Sequence, residues 1–276
     1  MGKEEVGLMY GVNETEASKS ALLELGLALK RYRGDMVLAG GWAPYFITNR
    51  FFGHCGSIDI DFVLKTSILK RYDSIRKTVI DLGYTQENAF RFSKEVESPV
   101  DKRDYSIHLD FLCEKEGLRH MNIRTVQDDL AAFAFDGCDI AFDFNYEQEV
   151  ATVLPKNGKA RTSVSVVDLV GSLVLKGQAI NGRSKPKDYY DVYSLTFFNS
   201  SPDNAALYLN DRVKSRKLAA NREKLMEHSL SVIREKFEDE DSMGPYQVQT
   251  FTGGKVERLD AFRRIDAFLK TIDLGP

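Results

Sequence analysis

The sequence predicts an α/β chain, in which a mixed β-sheet carrying helices is followed by a mainly helical C-terminal part. Three observations lead there. Two short apolar runs, Met36–Ala39 and Ile58–Leu64, flank a segment with helical character. Further strand-like runs follow at Phe90–Val96 and Tyr105–Cys113. After Asp168 the pattern turns helical, punctuated by glycine and proline. Strand–helix–strand followed by more strands is the order of a mixed sheet with helices packed on it. The expected division is 1–155 and 156–276, with the turn Pro155-Lys-Asn-Gly158 as boundary.

Each element has its own signal. Residues 1–13 read as irregular. Ala21, Leu22, Leu25, Leu29 and Tyr32 recur at helical spacing, so a helix is expected from Glu14 to Tyr32, ended by Gly34-Asp35. Trp42–Phe52 reads as a helix, with Pro44 tolerated in its first turn. Gly53–Ser57 is a loop, and Ser67–Leu82 a second amphipathic helix closed by Gly83. Cys138–Tyr146 and Glu149–Leu154 read as strands, with Asp136, Asp139 and Asp143 as turn and edge residues, and Ser163–Val167 as a last strand. Asp168–Ile180 is helical and Asn181-Gly182 stops it. Pro186 restarts a helix at its first position. Asp203–Phe237 is a charged, mostly helical stretch; Glu238–Asp241 is an acidic loop, and Leu259–Ile272 a closing amphipathic helix.

Bulk properties bound the function. The 276 residues supply ample core for one large or two small domains. A net charge of −3 gives no global basic field, so nucleic-acid binding needs a local patch. Arg212, Lys214, Arg216, Lys217, Arg222 and Lys224 form such a run, read either as a solvated helix face or as a polynucleotide-binding face. Three cysteines (Cys55, Cys113, Cys138) without metal spacing point to reduced thiols in a cytoplasmic protein. The four histidines, His54, His108, His120 and His228, are scattered, which disfavours zinc; His54-Cys55 reads as a loop pair rather than a metal pair. No apolar signal core and no run long enough to span a membrane is present.

The chemistry concentrates in two segments. In Gly56-Ser-Ile-Asp59-Ile-Asp61-Phe-Val-Leu64 the two acids are i and i+2, so a strand points both carboxylates the same way out of an apolar run. Burying two like charges unpaired is costly, and a divalent cation relieves the cost; one or two carboxylates plus substrate phosphates is the Mg²⁺ pattern. Gly40-Gly41, after a strand and before a helix, lets backbone approach a phosphate. A third acid, Asp110, lies in the apolar run Tyr105–Leu112, with Asp104 as its neighbour and competitor. The second segment is Lys176-Gly-Gln-Ala-Ile-Asn-Gly-Arg183-Ser-Lys-Pro-Lys187-Asp188-Tyr-Tyr-Asp191. Lys176 and Arg183 are seven apart and share a face if the helix continues; Asp188 and Asp191 are three apart on the next helix. Asp188 also suits a helix N-terminus, and Asp191 an ion pair with Lys187.

Gly40-Gly41-Trp42-Ala43, with Asp59-Ile-Asp61 starting 18 residues after Gly41, resembles the signature of the nucleotidyltransferase (DNA polymerase β-like) superfamily. Together with the Lys176–Asp191 segment, the chain is most similar to the AbiEii/AbiGii toxin group, which includes the MenT toxins. Several members have Ser or Thr where this chain has Asp59. The resemblance implies a nucleotidyltransferase fold with a helical C-terminal domain, and an active site in the cleft between them. It also implies NMP transfer from an NTP (EC 2.7.7 type), with tRNA as acceptor and an antitoxin partner. In that scheme Asp59, Asp61, Lys176 and Asp191 are catalytic. Asp59, Asp61 and Asp110 would hold two Mg²⁺ ions. Gly40, Gly41, Lys176, Arg183 and Lys187 would bind the nucleotide, with Asp188 in support and Arg212–Lys224 facing the RNA. Three other readings stay open: a small-molecule nucleotidyltransferase of antibiotic-modifying type, a non-catalytic nucleotide-binding protein of the same fold, and a nucleotide-sugar glycosyltransferase using Asp-x-Asp.

Overall fold

A computed structural model describes residues 11–70, 74–115, 117, 122–156 and 158–273. His120 and most of the N-terminal stretch 1–13 lie outside the described residues, as does the middle of the helix expected over Ser67–Leu82. Chain packing divides the protein into a sheet unit, 11–43 with 56–168, and a helical unit, 44–55 with 169–273. The turn after Pro155, expected as a boundary, instead joins two antiparallel strands of the sheet unit.

The sheet unit opens with helix α1, Val12–Ala28. Glu14 caps it by accepting from the Gly11 N–H at 3.0 Å, a carboxylate in the first turn where the helix dipole favours it. Strand β1 is Met36–Leu38 and β2 is Ile60–Leu64. They are β-branched or bulky apolar runs, and they pair antiparallel with Leu38 opposite Phe62. Strands β3 (Thr85–Gln86), β4 (Arg91–Glu97), β5 (Asp104–Glu114), β6 (Ile123–Gln127), β7 (Leu130–Phe135), β8 (Asn145–Val153) and β9 (Lys159–Val167) complete the sheet. Among the described residues it runs β3-β4-β5-β2-β1-β9-β8, with β7 also pairing β5 and β6 pairing β7. β2–β5 and β1–β9 are parallel, and β4–β5 and β8–β9 antiparallel, so the sheet is mixed as expected.

Alternation separates the two faces of the central strands. Ile60, Phe62 and Leu64 of β2, with Ile107, Leu109, Phe111 and Cys113 of β5, are all buried. Lys94 of β4, opposite Ile107, reaches Glu24 of α1, so α1 covers this face. Asp61, His108 and Asp110 point the other way.

Several sequence expectations change. The Cys138–Tyr146 segment is not a strand: a glycine turn at Gly137 leads into a single helical turn, α4 (Ile140–Asp143), before β8 begins. The hairpin β6–β7 went unrecognised because Leu130-Ala-Ala-Phe-Ala-Phe135 lacks the polar alternation of a half-exposed strand. The Ser67–Leu82 stretch contains a 3₁₀ turn, Thr66–Lys70, and a shorter helix α3, Ile75–Asp81, capped by Ser74. Helix α2, Trp42–Thr48, ends before the expected Phe52.

The helical unit contains α5 (Leu169–Gly182), α6 (Pro186–Leu195), α7 (Pro202–Lys214), α8 (Ala220–Lys236), α9 (Met243–Phe251) and α10 (Arg258–Thr271). Pro186 and Pro202 each occupy a first-turn position, where no N–H is needed. Gly177 permits close α5–α8 packing: a Cβ there would come within 2.7 Å of the Ser229 carbonyl. No described helix is long and apolar enough to cross a membrane.

Candidate active site

The acid pair lies at the start of β2. Asp61 is in the strand and Asp59 just before it, both on the face opposite α1. The Gly40 turn is built around Asp61. The Ala39 N–H donates to the Asp61 carbonyl at 2.8 Å. Gly40 has φ +62°, and a Cβ on it would fall 1.9 Å from Asp61 Oδ2. Only a glycine fits, on two counts: left-handed backbone and the carboxylate lying against it. The sequence coupling of Gly-Gly to Asp-x-Asp is therefore a steric one.

Asp110 of β5 sits directly beside Asp61 in the parallel register. Its carboxylate is engaged from the other side. Arg91 of β4, its antiparallel partner, donates Nε to Oδ1 at 2.7 Å and Nη2 to Oδ2 at 2.5 Å. This is a two-pronged guanidinium–carboxylate pair, the strongest common geometry for these groups. The hydrogen bonds it donates to Asp110 come first, and the charge of Asp110, Asp59 and Asp61 adds to them, in holding the guanidinium more firmly protonated than usual. Two residues earlier on β5, His108 Nδ1 lies 3.3 Å from Asp59 Oδ1, and its Nε2 lies 3.8 Å from Glu87. Asp59, Asp61, Asp110, His108 and Arg91 thus share one sheet face.

No group of three or more His, Cys, Asp or Glu among the described residues is arranged to hold a metal ion. The donor set that remains is two adjacent carboxylates, hard oxygen ligands beside a side-chain-free turn. That set fits Mg²⁺, which keeps waters and substrate phosphates in its shell and takes only one or two protein carboxylates. It does not fit zinc.

The second motif forms a buried charge network within the helical unit. Lys176 of α5 donates to Asp188 Oδ1 at 2.8 Å and pairs with Asp191 Oδ2 at 2.5 Å. Lys187 reaches both oxygens of Asp191, at 2.9 and 3.2 Å. Arg183 Nε donates to Asp188 Oδ2 at 2.7 Å. Lys176, Lys187, Asp188 and Asp191 are all buried, and Asp191 is 0% exposed. Arg183 differs, with 59% of its side chain open to solvent. Burial alone would raise the Asp191 carboxyl, but Lys176 and Lys187 hold it far below the usual range. Burial would likewise lower Lys176, and Asp188 with Asp191 outweigh it, so the ammonium stays charged.

His54, from the loop after α2, completes this network: its Nε2 lies 3.0 Å from Asp191 Oδ1. Burial lowers its pKa to about 4 against the pull of that bond. The ring is neutral at pH 7, so Nε2–H donates to the carboxylate. Tyr190 packs on the ring at 5.1 Å. Cys55 beside it is a thiol, pushed by burial up to about 11.

Sequence reasoning missed Arg91, His108 and His54. His108 had a signal, its i, i+2 relation to Asp110. The other two depend on register and on a contact 137 residues apart. The basic run is not one helix face. Arg212 and Lys214 end α7, Arg216 and Lys217 lie exposed in the connection, and Arg222 and Lys224 begin α8. Lys214 pairs with Asp273 at 3.1 Å.

A search of curated protein sequences finds no match. A family profile described as nucleotidyl transferase AbiEii toxin, type IV toxin–antitoxin system, matches residues 21–268, which takes in both the Asp59–Asp61 pair and the Lys176–Asp191 network. The chain belongs to the AbiEii family of nucleotidyl transferase toxins.

Proposed function

We propose that this chain transfers a nucleoside monophosphate from a Mg²⁺-bound NTP to an RNA acceptor, with tRNA as the expected class, as the toxin of its toxin–antitoxin pair. The observation that carries the reading is the Asp59–Asp61 pair at the head of β2, with Asp61 packed against Gly40. Asp59 and Asp61 hold the Mg²⁺, which when bound supplies charge neutralisation at the triphosphate and its leaving group. With no side chains of their own, Gly40 and Gly41 let the backbone approach a phosphate. The acceptor hydroxyl oxygen forms a bond to the α-phosphorus and its proton passes to solvent, while the bond from the α-phosphorus to the α–β bridging oxygen breaks and pyrophosphate departs. The chain's part is positioning and electrostatics rather than covalent chemistry.

In the second motif, Arg183 is the cation most open to solvent, which suits direct contact with nucleotide phosphates. Lys176 and Lys187 are nearly enclosed. Lys176 offsets triphosphate charge from a fixed position, and Asp191 orients it with the help of Lys187 and His54. The family brings an antitoxin partner with it.

The basic connection between α7 and α8 supports a polynucleotide acceptor. Arg222 sits in the first turn of α8 and Lys224 just after it, near the helix end where the dipole disfavours positive charge. Contact with the phosphates of a polynucleotide gives exposed cations at this connection a use.

The test is incubation of the protein with each labelled NTP, Mg²⁺ and total RNA, resolved on a gel, beside a variant carrying Arg216→Glu, Lys217→Glu and Arg222→Glu. The expected result is labelled RNA whose yield falls steeply with salt. The triple variant should lose RNA labelling yet keep thermal stabilisation by Mg²⁺-NTP. Label appearing only in small molecules, or RNA labelled by the variant at the wild-type rate, would contradict the acceptor assignment.

A further inference from the structure

The acid face carries three aspartates, yet they are not equivalent. Asp59 and Asp61 flank Ile60 at the head of β2, and Asp110 lies beside Asp61 on β5. Asp110 has both oxygens engaged by the two prongs of one guanidinium. The Asp110 side chain is 10% exposed, so the pair is made in a place with little competing water. Arg91 and Asp110 are also Cα partners in the β4–β5 ladder. The backbone hydrogen bonds that build the sheet therefore hold the guanidinium against the carboxylate. A metal ion seeking Asp110 would have to displace a bidentate, charge-assisted pair. It would then face the released guanidinium, a permanent cation, at short range.

We propose that Arg91 removes Asp110 from the metal-binding set, so that the acid face holds one divalent cation on Asp59 and Asp61 rather than two. Arg91 is a positioning residue in this account: it acts on the site through Asp110 and by its fixed charge beside Asp61. The inference rests on the reading that Asp59 and Asp61 bind metal with nucleotide. It follows that the acceptor oxygen is not served by a metal ion of its own.

Mn²⁺ provides a probe that reads number rather than activity. Two Mn²⁺ ions bridged at about 3.5–4 Å, the spacing of two-metal sites, couple magnetically and give an EPR spectrum distinct from that of an isolated ion. The whole protein is titrated with Mn²⁺ in the presence of α,β-imido analogues of the four NTPs, each in turn. The expected result is an uncoupled spectrum and one bound Mn²⁺ per chain. Arg91→Met frees Asp110 while keeping side-chain bulk, and should add a second bound Mn²⁺ and the coupled signal. A coupled pair in the wild-type protein overturns the inference whether or not the variant folds. A folded Arg91→Met protein that still binds a single ion overturns the role given to Arg91. Wild-type protein that binds no Mn²⁺ at all defeats the underlying metal reading, and the inference with it, and is told apart from the first two results by the absent signal.

Discussion

Two glycines and two aspartates carried most of what the sequence could say about the site, because each rests on a local rule. An i, i+2 pair in a strand shares a face whatever the fold, and a Gly-Gly turn after a strand announces positive φ. Arg91 rests on no local rule. Its role exists only once β4 is registered against β5, and register depends on the whole sheet. The same holds for His108 against Asp59. At Gly40 the local rule can be tested with one methyl group. Gly40→Ala puts a Cβ 1.9 Å from Asp61 Oδ2 on backbone at φ +62°. Strain of this kind costs about 1–3 kcal/mol, and relief requires moving Asp61. Thermal unfolding with and without Mg²⁺-NTP should show a less stable protein that nucleotide no longer stabilises. A Gly40→Ala protein with wild-type melting and the wild-type nucleotide shift would mean that the turn does not shape the acid pair.

Strands and helices were legible where apolar periodicity was clean, as in β2, α5 and α6. They were not where a short turn broke it: α4 was taken for strand because Ile140-Ala-Phe holds too few residues to reveal a period. The α5–α6 pair was recognised as a motif, but not how its charges are balanced. Two lysines and two aspartates are buried together, and His54 joins them from a loop far away in sequence. Breaking such a network by removing one partner leaves a buried charge uncompensated, which typically costs 3–5 kcal/mol, so Lys176→Met should destabilise the fold as well as slow transfer. His54 makes the network sensitive to acid. Its pKa is about 6.5 unfolded and about 4 folded. Between those values the unfolded chain holds the extra proton, so stability rises with pH. The contribution is complete above pH 6.5 and is lost as pH falls towards 4, on the order of 3 kcal/mol in all. The pull on Asp191 acts lower, below the ordinary carboxylate pKa. The urea midpoint should therefore fall as pH drops from 6.5 to 4 in the wild type and fall less in His54→Gln, whose amide can still donate to Asp191. The same fall of midpoint with acid in the variant would remove His54 as the titrating group.

At the scale of the molecule, the mixed sheet and the helical C-terminal region were readable from element order alone. The division of the chain was not. Residues 44–55 belong with the helical unit although sheet-unit residues precede and follow them, and no composition shift marks a segment that leaves one packing unit and returns. Likewise, a net charge of −3 conceals a basic connection between two helices. The family match runs through both units, and the central claim is that the acid pair of the sheet unit carries the family's transfer reaction. Asp61→Asn tests it most directly. The change removes one anionic ligand, keeps the side-chain shape beside Gly40, and relieves repulsion with Asp59, so circular dichroism and melting should stay close to wild type. Transfer of labelled NMP should fall by at least about 10²-fold, equivalent to roughly 2.7 kcal/mol of transition-state stabilisation. A folded Asp61→Asn protein that transfers NMP at the wild-type rate would contradict the account.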